Sequence, residues 1–128
     1  MLTIFEKIIL GHLVGDYLLQ PKKMAMEKSA KGLNGLLWCL AHSLIYTLAI
    51  CLFAATTNPI IIGLVFLSHF PIDRWSLADW WLKIIRGRNF LAIEHNQKTD
   101  LSFSVVVYVI VDNTIHILLM TLIFSCCQ

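Results

Sequence analysis

Charge is scarce in this chain. Only 14% of its 128 residues are Asp, Glu, Lys or Arg, about half the roughly 25% of an ordinary soluble domain. Hydrophobic residues make up 58% and the mean hydropathy is +0.74. A soluble domain this small needs polar side chains to cover its surface, and too few are present; lipid is the solvent that fits. A net charge of +2 is too small to hold a polyanion, so no nucleic-acid partner is expected. Cysteine is sparse as well. Cys39, Cys51, Cys126 and Cys127 form no Cys-x-x-Cys pair and stand at no zinc-site spacing from a histidine, which leaves them as small apolar fillers. A cleavable leader is not expected either, because Glu6, Lys7, His12 and Asp16 interrupt the apolar run of residues 1–20. There is no repeat or low-complexity tract, and the length suits one integral membrane domain, 1–128.

What is present is a set of long apolar runs. A spanning helix needs about 20 mostly apolar residues, and four segments qualify: about 2–20, 36–56, 59–80 and 103–125. The expected fold is all-α, a bundle of four transmembrane helices. Thr56, Thr57, Asn58 and Pro59 join the second and third spans by a tight turn, with Pro59 placed to open a helix. The other two connections are basic. Lys22, Lys23, Lys28 and Lys31 lie in the first, and Lys83, Arg86, Arg88 and Lys98 in the second. The positive-inside rule puts both in the cytoplasm and both termini outside. Trp80 and Trp81 beside Lys83 and Arg86 mark a cytoplasmic interfacial helix after the third span, followed by a polar connecting loop at 89–102.

Ionisable side chains inside hydrocarbon are costly and mark function, and seven lie within these spans. His12 and Asp16 are on the first, His42 on the second, His69 and Asp73 on the third, and Asp112 and His116 on the fourth. Three pairs are spaced i, i+4, which puts both members on one helix face. The order is His-x-x-x-Asp in the outside-to-inside spans and Asp-x-x-x-His in the inside-to-outside span, so every aspartate faces the cytoplasm with its histidine one turn deeper. At about 1.5 Å per residue, Asp16, His42 and Asp73 lie about 8–9 Å below the cytoplasmic interface, His12, His69 and Asp112 about 13–15 Å, and His116 about 20 Å. Nitrogen and oxygen donors without thiolate suit one or two Zn²⁺, Mn²⁺ or Fe²⁺ ions. A single His–Asp pair reads more simply as hydrogen-bonded glue between helices; three pairs at matched depth with His42 point to metal. His95, beside Glu94 in a polar stretch, reads as solvated. Gly11 and Gly15 would let another helix come close, and Pro71 is expected to kink the third span. Gln20, Tyr46 and Tyr108 lie one turn from a ligand candidate and are expected to support the ligands. Arg74 is a candidate anchor for an anionic substrate group.

The motifs GHLVGDYLLQ, LLWCLAHSLIYTL, LSHFPIDRW and DNTIH resemble a family of small bacterial and phage membrane proteins catalogued as a domain of unknown function. The likeness covers nearly the whole chain. It carries over His12, Asp16, Gln20, His42, Tyr46, His69, Asp73, Asp112 and His116. Asn113 stands where the family pattern has glutamine. The resemblance implies a bacterial cytoplasmic membrane as the setting. More distantly, the His/Asp pattern is similar to predicted membrane-bound metal-dependent hydrolases.

The expected function is hydrolysis of a phosphoester or related ester in a membrane lipid or other amphiphile reached from the cytoplasmic leaflet. Bound ions would acidify water and polarise the scissile group, with Asp16 or Asp73 as general base. Arg74, Lys22, Lys23, Arg86 and Arg88 would attract an anionic headgroup. Two other readings stand beside it. One is a metal-ion or proton transporter, which would need a homo-oligomer to form a conduit. The other is a non-catalytic membrane interaction protein with a structural metal. Six of the seven ionisable groups fall in the cytoplasmic half, which favours a site over a pore.

Overall fold

The computed structural model describes residues 1–87 and 98–127, and these form helices and turns with no strand among them. Helix α1 (Ile4–Leu13) opens on a capping box. Thr3 Oγ1 accepts from the Glu6 N–H at 3.3 Å, and the Glu6 carboxylate accepts from the Thr3 N–H at 2.7 Å. An acidic residue in this apolar run is therefore a helix start signal. α1 runs into a π-helical turn, Val14–Leu18, in which the Leu19 N–H donates to the Val14 carbonyl at 2.9 Å. A short α2 (Lys22–Glu27) precedes α3 (Leu33–Ala54). α4 (Pro59–Arg74) begins as its sequence predicts, with Pro59 in the first turn and the Asn58 side chain accepting from the Ile60 N–H at 3.0 Å.

Two expected boundaries move. The third span was expected to run through residue 80, but α4 ends at Arg74, and α5 (Leu77–Arg86) leaves at 59°. The turn comes at Ser76, whose left-handed φ of 47° no helix can continue. Pro71, expected to produce the kink, stays inside α4. α6 (Lys98–Cys127) begins earlier than expected, so residues 98–102 are helical rather than part of a loop. His95 and Arg88 lie outside the described residues.

The helix pairings follow from contacts. A Cβ on Gly11 would lie 3.0 Å from Ile50 Cα, and one on Gly15 would lie 3.0 Å from the Tyr46 ring. α1 therefore descends as α3 ascends. Only residues 55–58 join α3 to α4, and Ile8 of α1 and Ile61 and Val65 of α4 pack with Met120 and Phe124 of α6 while His12 and His69, further along their helices, stand beside His116. α1 and α4 are thus antiparallel to α3 and α6. One half of the shared interior is apolar: Ile8, Ile50, Ile61, Val65, Met120 and Phe124 pack together at 0–3% exposure. The other half holds the histidines.

α3 and the Ser102–Cys127 part of α6 are long and apolar enough to cross a membrane, and α4 with α5 makes a third such unit if the bent pair counts as one. The segment 2–20 is not among them. Its 10 residues of α-helix give way to five of π-helix and end at Leu18, short of the roughly 20 a span requires.

Candidate metal centre

Asp16, His42, His69 and Asp73 meet at the end of the bundle where α2 lies. One ligand atom from each falls within 4.8 Å of all the others. His42 Nε2 is 3.0 Å from both Asp16 Oδ1 and Asp73 Oδ2, and His69 Nε2 is 3.2 Å from Asp73 Oδ2 and 3.8 Å from Asp16 Oδ1. Donors at 2.0–2.2 Å from one tetrahedral ion stand about 3.3–3.6 Å apart, and these separations bracket that range.

Distance alone does not separate a metal site from paired His and Asp. Orientation does. Asp16 Oδ1, both ring nitrogens of His69 and Nε2 of His116 are buried without a hydrogen-bond partner, although each Nε2 lies within 4 Å of a carboxylate. Buried polar atoms are rarely left unmade because their desolvation is uncompensated. Asp16 Oδ1 and His69 Nε2, both unpaired and 3.8 Å apart, are free to serve as ligands of a cation. The donor set fits a divalent metal with nitrogen and oxygen preference.

The sequence explains how residues on four helices converge. Side chains lean toward their own helix N-terminus. Asp16 and Asp73 therefore lean into the bundle, while His42 and His116 lean out toward the α2 end. This lean helps bring His116, expected about 11–12 Å deeper than Asp73, to 3.8 Å from Asp73 Oδ1. Its Nδ1 donates to the Asp112 carbonyl at 2.9 Å, which leaves Nε2 with its lone pair facing inward. His116 is thus a fifth inward-facing donor beside the four.

His12 lies behind the cluster rather than in it. Its Nδ1 is 3.1 Å from Asp16 Oδ2 and 3.2 Å from the Tyr46 hydroxyl, and its Nε2 is 2.6 Å from Asn113 Oδ1. Both nitrogens are engaged, so it orients the Asp16 carboxylate. Tyr46 stacks on His69 with ring centroids 3.6 Å apart and sets the plane of that imidazole. The Gln20 amide, turned with its nitrogen toward the Asp16 carbonyl, donates to it at 3.1 Å and accepts from Lys28 at 3.0 Å.

Asp112 and Tyr108 stand with Asp16 and Asp73 on the wall of a cavity of about 310 Å³. Asp112 Oδ2 is 3.6 Å from His116 Nδ1, on the side of that ring away from the centre. Arg74 does not face the cavity; its Nη1 donates to the Ala30 carbonyl at 2.6 Å and ties the turn before α3 to α4. Lys28 does face it. Its ammonium donates to Asp73 Oδ2 at 2.7 Å, a contact sequence reasoning missed because Lys28 read as one basic loop residue among several. The available signal was Met24, four residues before it on the same face of α2 and buried.

A family model described as a protein of unknown function (DUF3307) matches residues 4–128. The chain belongs to that family. The match takes in every member of the cluster. No curated protein and no solved structure matches the chain.

Proposed function

We propose that this DUF3307 protein is a membrane protein that holds a divalent cation between Asp16, His42, His69 and Asp73 and hydrolyses an ester, most simply a phosphoester, of a membrane amphiphile. The observation that carries this reading is the position of the cluster. It lies against the 310 Å³ cavity on one side and the packed apolar half of the bundle on the other. A transport pathway needs polar groups through the full depth, and Ile8, Ile50, Ile61, Val65, Met120 and Phe124 close that route. A site approached from one end remains.

A cation held there supplies Lewis acidity toward the scissile group and lowers the pKa of a water. The chain's own residues do the rest. Asp112 borders the cavity outside the four-residue cluster and is placed to take a proton from water, a role sequence reasoning gave to Asp16 or Asp73. An amphiphile's tail also has a place. A second, apolar cavity of about 480 Å³ lies between α5 and α6, walled by Leu77, Trp80, Trp81, Ile115 and Leu118. Ser76, next to Leu77, borders the polar cavity. The basic residues of 21–35 and α5 lie at the same end of the bundle as the cluster, which by the positive-inside rule supports a site open to the cytoplasmic side.

The test is hydrolysis of a panel of anionic lipids and soluble phosphoesters by metal-loaded wild type and Asp112→Asn, beside metal uptake into proteoliposomes. The proposal expects turnover that Asp112→Asn abolishes while the metal stays bound. Metal binding with no turnover on any substrate, together with unfolding by chelator, would assign the ion a structural role. Uptake blocked by the same ligand substitutions would assign transport.

A further inference from the structure

Among the described residues, Lys28 is the one in this site whose charge has the wrong sign for a cation centre. Its ammonium is 2.7 Å from Asp73 Oδ2, the oxygen that also stands 3.0 Å from His42 Nε2 and 3.2 Å from His69 Nε2. Lys28 is thus the hydrogen-bond donor to that oxygen, with two imidazole nitrogens crowded beside it. The two carboxylates of the four-residue cluster match a divalent ion in charge. Once that ion is bound, the ammonium on the same oxygen is surplus and repelled by it. Lys28 is a long side chain, 18% exposed on the cavity side, and the cavity it borders also has Ser29 and Ser76 in its wall, two hydroxyl donors.

We infer that Lys28 is a metal-released anion arm. It holds Asp73 as a counter-cation while the centre is empty of metal. When a divalent ion takes Asp73 Oδ2, the ammonium moves into the cavity and, with the hydroxyls of Ser29 and Ser76, binds an oxyanion of the phosphate type. Metal and anion then bind in order, the metal first. This rests on the metal-centre reading and adds to it the class of ligand and the residue that selects it. A compact, mobile point charge suits the role, since an ammonium on a flexible stem can leave one partner for another.

The two halves of the inference predict opposite effects of one substitution. Lys28→Met removes a competitor for Asp73 and a partner for the anion. Metal affinity, measured on the purified protein in detergent by competition with a chromophoric chelator, should therefore tighten by about tenfold, and metal-dependent binding of inorganic phosphate should weaken by about tenfold or more. Lys28→Arg, which keeps the charge, should bind both within about threefold of wild type, and it serves as the reference if Lys28→Met folds poorly. Metal-dependent binding of inorganic phosphate as tight as that of phosphatidate in mixed micelles marks a free anion, and tighter metal-dependent binding of phosphatidate marks a lipid headgroup; both support the arm. Unchanged or weaker metal binding in Lys28→Met would overturn the arm while leaving the centre standing. So would phosphate binding that is indifferent to metal or to Lys28, the result expected if the ammonium only exchanges Asp73 for Asp112. A wild-type protein that takes up no divalent ion would overturn the centre and the arm together.

Discussion

The two halves of this bundle share the same helices and differ only in what those helices turn inward. Toward the chain's N-terminus, Ile8, Ile50, Ile61, Val65, Met120 and Phe124 fill the interior. Toward α2, the same four helices turn in His12, His42, His69 and His116, each fully buried, with Asp16 and Asp73 between them. Mean hydropathy over a span averages the halves together, and α3 reaches 2.0 over a window that holds both His42 and Ile50. The difference lies in a few inward positions and in what must surround them. The apolar half needs only shape. The polar half needs a partner for every nitrogen and oxygen, and it recruits residues from the connections, Gln20 and Lys28, to provide them.

The largest effect that would break this contrast is expected at Asp73. Asp73→Ala leaves Lys28, His42 and His69 facing one another without their anion, and stranding one member of such a pair costs about 3–5 kcal/mol. Unfolding in detergent should show that loss, together with loss of metal binding. In the apolar half, Ile50→Ala should cost about 2 kcal/mol through the cavity it leaves, with metal affinity within about threefold of wild type. Coupled loss of both would mean that the halves are not separable. Gly11→Val should cost about 1–3 kcal/mol, because its Cβ would press on Ile50 Cα at 3.0 Å; the readout is the same unfolding midpoint. The smallest effect on folding is expected at His12→Gln. It should weaken metal binding about 10- to 100-fold through loss of Asp16 orientation, with little change in the apolar half's amide exchange.

Much of the polar half was legible because its signal is periodic. The i, i+4 spacing of His12 with Asp16, His69 with Asp73 and Asp112 with His116 needs only a helix to become geometry. Antiparallel order, read from short and basic connections, aligned their depths. What was not legible depends on atoms that spacing does not describe. His12 falls behind Asp16 because Asn113 and Tyr46 engage both its nitrogens. The lean of Cβ atoms, which raises His116 and lowers Asp73, adds to depth a correction that a count of residues omits. Lys28 comes from a connection whose path no hydrophobic period reports, and Arg74, adjacent to Asp73 in sequence, points instead to Ala30. In the first helix, the break at the π turn shortens an apolar run that looked continuous, and the same widened turn carries Asp16. π turns inside helices occur often at functional sites, and nothing in VGDYL signals one.

The most direct test of the central claim is anomalous diffraction from crystals grown with Zn²⁺ or Mn²⁺. The account predicts one peak between Asp16 Oδ1, His42 Nε2, His69 Nε2 and Asp73 Oδ2, at about 2.0–2.2 Å from each for zinc, with His12 uncoordinated. A metal-saturated crystal with no peak there, in which His42 and His69 donate hydrogen bonds to Asp16 and Asp73, would show that the polar half is held by paired side chains alone.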